Sequence, residues 1–317
     1  MTVPAATQTI YSTKGNREDL TDVIYNIDPT ETPFITNIDR VGQKAVLHEW
    51  QTQALASPDL NNAQLEGDDA TATVHTPTVR LGNYCQISRK AGRVSGTQRS
   101  VDSAGREDEL DYQKVLKGKE LKRDMESILT GANQAKAAGT DAATPRKLAS
   151  LLSWVKTNTN KTGTDPAAAD GTGTRTDGTA RQYTEPLLKD VLSKCWTNGG
   201  EPNMIMLGGF NKMQMSTFTG RGQPMEETKA KKIVNAVNTY EGDFGLQKVV
   251  PNRFQRPQDV WVLQTDMWAV SYLPGRRMVS EDLAVTGDSD AFFILSEYSL
   301  EARNEKSSGL IADCTTS

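Results

Sequence analysis

Histidine is almost missing from this chain, with 2 in 317 residues, and most acid–base, nucleophilic and metal chemistry goes with it. Any Ser-His-Asp or Cys-His arrangement must use His48 or His75, and both fall in one polar stretch away from the more compact C-terminal part. Cysteine is scarce too: Cys85, Cys195 and Cys314 form no CxxC and no even-numbered framework, which excludes a disulfide scaffold and favours reduced thiols. His48-Glu49-Trp50 is not HExxH, and no Cys/His spacing forms a zinc site. No apolar run approaches the roughly 18 residues of a membrane span, and residues 1–4 begin no signal peptide, so neither membrane nor export is expected. A net charge of −4 argues against a domain that works mainly by wrapping DNA. Only 36% of the residues are hydrophobic and 6% aromatic, and mean hydropathy is −0.55. Small separate cores with burial between subunits suit that composition better than one large core.

What is present starts with residues 16–39, NREDLTDVIYNIDPTETPFITNID. Asn16 can cap a helix, Glu18 and Asp19 favour its positive end, and Leu20, Val23, Ile24 and Ile27 form one apolar stripe. Pro29 ends it, and a second turn opens at Thr32 and Pro33 with Phe34, Ile35 and Ile38 behind. This is an arm with two sticky spots, expected to dock on its own body or on a neighbouring copy.

Residues 44–55 and the stretch from Val79 read as two strands of a long hairpin with an irregular polar tip. From Val79 onward, Val79, Leu81, Cys85 and Ile87 share one parity and Arg80, Tyr84, Gln86 and Ser88 the other, a half-buried pattern. Charge is segregated. Residues 45–79 hold Glu49, Asp59, Glu66, Asp68 and Asp69 without a Lys or Arg, whereas residues 70–101 hold Arg80, Arg89, Lys90, Arg93 and Arg99 without an acid. Opposite signs on one protruding element suit contact with identical neighbours; internal pairing on a solvated hairpin is the plainer reading.

The longest helical pattern is expected to start at Asp102 or Ser103 and stop at Gly131, with Leu110, Leu121, Met125, Ile128 and Leu129 on one face and Tyr112, Val115 and Leu116 round the side. Lys122 and Glu126 are among its expected surface pairs. Residues 157–181 are Gly/Thr-rich, and neighbouring subunits are the simplest candidates to hold them. Beyond them come a helix opened by Pro186 and ended by Asn198-Gly199-Gly200, a strand at 204–207 and a helix with Phe210, Met213 and Met215. A polar turn at 220–223 and strands at 234–240, 246–250, 260–264 and 291–303 complete an α+β body.

No catalytic constellation emerges. Cys85 can face His48 if the strands pair, but an ordinary packed thiol is the better reading. Glu66, Asp68 and Asp69, or Asp165, Asp170 and Asp177, lack the spacing of a calcium loop, and residues 170–178 have glycines without the GK[ST] of a phosphate loop. Met204, Met206, Met213 and Met215 read as core filling rather than copper ligands, and Trp154, Trp196, Trp261 and Trp268 as core or interface anchors. No catalytic, cofactor-binding or metal residue is therefore assigned.

Residues 19–35, DLTDVIYNIDPTETPFI, and residues 297–314, EYSLEARNEKSSGLIADC, resemble the two ends of a family of tailed-bacteriophage major capsid proteins, the head proteins of elongated-headed podoviruses with the Hong Kong-type capsid fold. The resemblance implies an N-terminal arm (1–42), an extended hairpin or E-loop (43–101), a peripheral domain with a spine helix (102–182), an axial domain (183–280) and strands returning to the peripheral domain (281–317). It implies a non-enzymatic subunit that self-assembles into hexamers and pentamers around double-stranded DNA, in a virion capsid assembled in host cytoplasm. Scaffolding, portal and decoration proteins are its implied partners, and no membrane is. The interface residues expected on this basis are Leu20, Ile24, Ile27, Phe34 and Ile38 on the arm and Trp50, Arg80, Arg89 and Arg93 on the hairpin. An encapsulin-like compartment shell and a cytosolic enzyme with an unrecognised site are the alternatives.

Overall fold

The computed structural model describes residues 7, 24, 27–69, 72, 74–140, 143–218 and 238–317. Leu20, the capping Asn16, the turn at 220–223 and residues 234–237 lie outside them. In chain order, helix α1 (Pro33–Asn37) leads into β1 (Asp39–Gly42), the strand pair β2 (Leu47–Thr52) and β3 (Val79–Tyr84), then β4 (Gln86–Ser95). Next come α2 (Gly96–Ser100), α3 (Glu109–Thr130), α4 (Leu151–Trp154) and the short β5 (Thr159–Asn160). The C-terminal half contributes α5 (Glu185–Thr197), β6 (Met204–Leu207), α6 (Gly209–Met215), β7 (Thr239–Gly242), β8 (Gly245–Pro251) and β9 (Val260–Leu263). It closes with β10 (Trp268–Tyr272), β11 (Val279–Asp282), β12 (Ser289–Ala302) and β13 (Gly309–Ile311).

Two sheets organise these elements. In the first, β12 pairs antiparallel with β10, β11 and β4, and β1 adds to β10 in parallel. The second runs β5-β13-β9-β6-β8-β7. Its central strands are apolar at every position because both faces are covered. Met204, Met206, Trp261 and Leu263 face the core that also holds α3, while Ile205, Leu207, Val260 and Val262 face the core under α5. The sheets cut the chain differently from the expected division. Residues 268–272 and 279–282 belong with the first sheet, and residues 309–311 return to the second. Pairing with the long β12 decides this, and such long-range partners are not visible in the strands' own patterns.

The long helix starts at Glu109, not at 102 or 103. Gly105 takes a positive φ of 76°, which breaks the turn before it, and Asp108 then caps the helix by accepting the Leu110 N–H at 2.7 Å. Arg99 holds that cap in place, with guanidinium nitrogens 2.6 Å from both Asp108 and Asp290. Gly131 ends the helix. Its drifting stripe has two partners: Leu121, Met125 and Leu129 are buried in the core, whereas Tyr112 and Leu116 line a groove with Ile24 and Ile27 of the arm.

The alternation read from Val79 reverses at Cys85, whose N–H donates to Val46 O at 2.8 Å as the chain leaves β3 for β4. Ile87 ends 48% exposed, and Gln86 and Ser88 turn inward instead. The interior supplies their hydrogen bonds: Gln86 Oε1 accepts from Gln134 Nε2 at 2.8 Å and from Leu148 N at 3.2 Å, and Ser88 Oγ lies 3.2 Å from the Tyr298 hydroxyl. Gly92 in β4 lies under the Phe292 ring opposite, where a Cβ would stand 2.7 Å from ring carbons.

Candidate assembly surfaces

The arm meets the body at α1. Phe34 is fully buried and Ile35 and Ile38 nearly so, all in the chain's own core. Thr32 makes no side-chain cap, so the open N–H groups of Phe34 and Ile35 need another acceptor. Glu126 of α3 supplies it, its two oxygens 2.7 and 3.0 Å from those nitrogens, while Asn252 Nδ2 donates to it at 2.8 Å. This carboxylate is wholly buried and has no ion pair among the described residues, and burial pushes it up to about 7 against the pull of those three donors. Glu126 is therefore not the surface partner of Lys122 that its spacing suggested. Ahead of α1 the described arm residues 24 and 27 are open, with Ile24 41% and Ile27 99% exposed.

The hairpin pairs in the register Leu47↔Tyr84 to Thr52↔Val79. Arg80 pairs with Glu49 across it, so part of the segregated charge is satisfied internally. Trp50 packs its ring against Trp154 of the body, with centroids 5.4 Å apart. Beyond Thr52 the tip presents Leu55, Leu60, Leu65 and Val74, each at least 80% exposed. Arg89 and Arg93 stand on the outward face of β4, and neither forms an ion pair among the described residues. The structure thus keeps Phe34, Ile38 and Trp50 against their own body and leaves Ile24, Ile27, Arg80, Arg89 and Arg93 toward solvent.

Residues 157–181 are held by their own chain, contrary to the expectation that neighbours hold them. Asp313 accepts N–H bonds from Thr162, Gly163 and Gly178 at 2.8–3.0 Å, and Thr164 and Thr176 bridge across the loop. Buried Arg175 pairs with Asp165 at 2.5 Å. Asp165 and Asp177 are spent on ion pairs with Lys161, Arg175 and Arg256, and Asp170 caps Thr172. Among the described residues no cluster of His, Cys, Asp and Glu is arranged to hold a metal ion.

The candidate dyad does not assemble. His48 pairs in register with Asn83, and its Nε2 lies 2.8 Å from Glu301 Oε2, a contact that holds Glu301 below its ordinary carboxyl range. Burial pushes the Cys85 thiol up to about 11, which disfavours the thiolate a nucleophile needs. Glu126 and Asp313, the two acids that hold the arm and the loop, escaped sequence reasoning. Their signal was only an acid on the flank of a helix and an Asp in an otherwise apolar ending.

A shell protein needs surfaces of this kind: an arm, a projecting hairpin and unpaired charge on a rigid body. The SU10 major capsid protein family matches residues 6–315. The chain belongs to that family. A curated relative, the major capsid protein of Escherichia phage Phieco32, is 29% identical over 339 residues, covering 95% of both chains. Among solved structures, the cyanophage A-1(L) capsid asymmetric unit superposes with a TM-score of 0.66 at 14% identity, covering 95% of this chain and 98% of that one. The SrpI encapsulin complex of Synechococcus elongatus superposes at 0.57 and 11% identity, covering 96% and 94%. The fold is thus the Hong Kong-type fold of phage capsids, which encapsulins share, and the family match makes this a phage capsid subunit that builds a shell in the virion. In that capsid protein α3 is the long helix that joins arm and second sheet through Glu126 and Asn252, and it meets the first sheet through the Asp124–Lys90 ion pair.

Proposed function

We propose that this capsid protein forms the head of a tailed bacteriophage as hexamers and pentamers around double-stranded DNA, without catalysis of its own. The observation that carries this reading is the family match over residues 6–315, which spans arm, hairpin and both sheets. The exposed Ile24 and Ile27, and Arg80, Arg89 and Arg93 beside the hairpin, are the residues assigned to contacts between copies; Phe34, Ile38 and Trp50 act indirectly by fixing arm and hairpin to the body. Residues 1–42 serve as the arm and 43–101 as the E-loop. The body built on the first sheet with α3 corresponds to the peripheral domain, and the one under α5 and α6 to the axial domain. Many modest interfaces repeated around a closed lattice make the whole persistent without any one being strong. Assembly is placed in host cytoplasm, with scaffolding, portal and decoration proteins as partners.

An encapsulin-like compartment is the second reading, favoured only by the fold shared with the SrpI shell. Electron microscopy and light-scattering mass of the full chain, alone and coexpressed with the neighbouring head genes, test both. Closed particles that package DNA support the phage head. Particles that fill with a cargo enzyme and need no DNA support the compartment. A monodisperse monomer or dimer under every condition counts against both.

A further inference from the structure

Loop 157–181 starts at the edge of the second sheet, where β5 pairs with β13, and is fixed almost wholly by polar contacts. No residue from 156 to 182 joins either apolar core, although Val155 and Tyr183 at its two ends do. Asp313 accepts from Thr162, Gly163 and Gly178, and Thr164 and Thr176 bridge across the loop. Asn133 clamps Arg175, its Oδ1 accepting the Arg175 N–H at 2.9 Å and its Nδ2 donating to Arg175 O at 2.6 Å, and Asp177 pairs with Arg256. A segment held by hydrogen bonds rather than apolar burial is the kind that opens locally, at a lower free energy than global unfolding.

One buried acid beside this loop is poorly served. Asp259, one residue ahead of β9, is fully buried, and neither of its carboxylate oxygens has a hydrogen-bond donor among the described residues. Arg256 Nε stands 3.5 Å away, and that guanidinium is shared with Asp177. The other charges that reach Asp259 are Arg175 and Asp177 of the loop and Asp313 of the C-terminal segment, with the Cys314 thiol next to that. Burial pushes the Asp259 carboxyl up to about 7, with Arg256 and Arg175 pulling it down and Asp177 and Asp313 pushing it further up. A buried carboxyl without donors favours its neutral form, whereas the same group in water ionises in the ordinary range.

We propose that loop 157–181 is a proton-sensitive flap, closed over a protonated Asp259 and opening more readily once that carboxyl ionises. The direction follows from proton counting. Opening returns Asp259 to water and to its ordinary 3.8, so between 3.8 and about 7 the closed flap holds a proton that the open one releases. Closure therefore weakens about tenfold per pH unit through that window and levels off above it. Asp313 has the opposite sign: against a burial that raises it, the N–H groups of Gly178, Gly163 and Thr162 hold it low, so its grip is lost only as the pH falls. The flap belongs to the single subunit and does not depend on the shell reading above.

Hydrogen exchange of the full, unassembled chain at pH 5, 6, 7 and 8, expressed as protection against the unstructured rate at each pH, tests this. The amides of Thr162, Gly163, Thr164, Thr176 and Gly178 read the flap, and those of β12 read global opening. Flap protection is expected to fall about fiftyfold from pH 5 to pH 7 and only about twofold from pH 7 to pH 8. Asp259→Asn, neutral at every pH, is expected to keep its flap protection level across the range. A wild-type change of less than about threefold from pH 5 to pH 7 overturns the proposal, and so does an equal fall in Asp259→Asn, because the proton is then held elsewhere. Flap protection that equals that of β12 at every pH also overturns it, since the loop then does not open by itself. Should circular dichroism show Asp259→Asn unfolded, the wild-type profile decides alone: a fall larger at the flap than at β12 supports the proposal, and one no larger overturns it.

Discussion

Replacing Glu126 with Gln isolates the buried carboxylate that ties the arm to the long helix. Its folded-state value is about 7 against an ordinary 4.5, and the difference corresponds to roughly 3 kcal/mol. The direction follows from proton counting. Between 4.5 and 7 the native protein holds a proton that the unfolded chain has released, so stability falls as the pH rises through that window. The contribution is complete below the lower value and absent above the upper one. Asp259, fully buried and pushed up to about 7 by burial, titrates in the same window, so the comparison must be wild type against Glu126→Gln rather than wild type alone. The variant also carries a cost of about 1–3 kcal/mol that does not depend on pH, because its amide turns a donor toward the N–H of Phe34 or Ile35. Urea unfolding of unassembled subunits at pH 5, 6, 7 and 8 reads both. The advantage of wild type over variant is expected to shrink by about 2.5 kcal/mol from pH 5 to pH 8. Parallel pH profiles refute the reasoning and mean that Glu126 stays ionised throughout.

Phe34→Ala removes a fully buried ring from the main core and is expected to cost about 3–5 kcal/mol in the urea midpoint; a loss under about 1 kcal/mol means the arm is not seated there. Phe34→Asp, attractive if the arm docked only on a neighbour, is expected instead to give misfolded subunit, because the charge has no partner in that core. Asp313→Ala deprives Thr162, Gly163 and Gly178 of their acceptor, and hydrogen exchange of those amides should accelerate in the free subunit while the β12 amides stay protected. If neighbours held this loop, the amides would already exchange fast in the wild-type monomer. Cys85, Cys195 and Cys314, pushed up by burial to about 11, 12 and 12, should resist alkylation at pH 8 until urea unfolds the chain; rapid labelling of the native subunit contradicts their burial.

Local pattern made several elements legible before any coordinates. Pro186 and Asn198-Gly199-Gly200 bracket α5 (Glu185–Thr197), and the run Met204–Leu207 is apolar throughout because it is a central strand buried on both faces. Gly131 stops α3 because the chain's own neighbours along the helix dictate its end. Segment 268–272 was not legible as a strand of the first sheet, since Ala269 and Ser271 become strand residues by pairing with β12, some thirty residues onward. Ile87 was misplaced because alternation assumes a single face, and the interior offered Gln86 and Ser88 better hydrogen-bond partners than it offered an isoleucine.

The sequence by itself determined the α+β class, the long helix, the hairpin and the separation of charge along it, because these depend on periodicity and breakers, which are properties of neighbours along the chain; the family was legible only through the resemblance of its two end segments. Only the tertiary structure decided that Phe34 belongs to its own body, that Glu126 and Asp313 are the acceptors for arm and loop, and that β4 joins β12 in the first sheet. Each of those depends on which group, ninety or more residues away, arrives to satisfy a buried donor or strand, and local pattern carries no record of that distance.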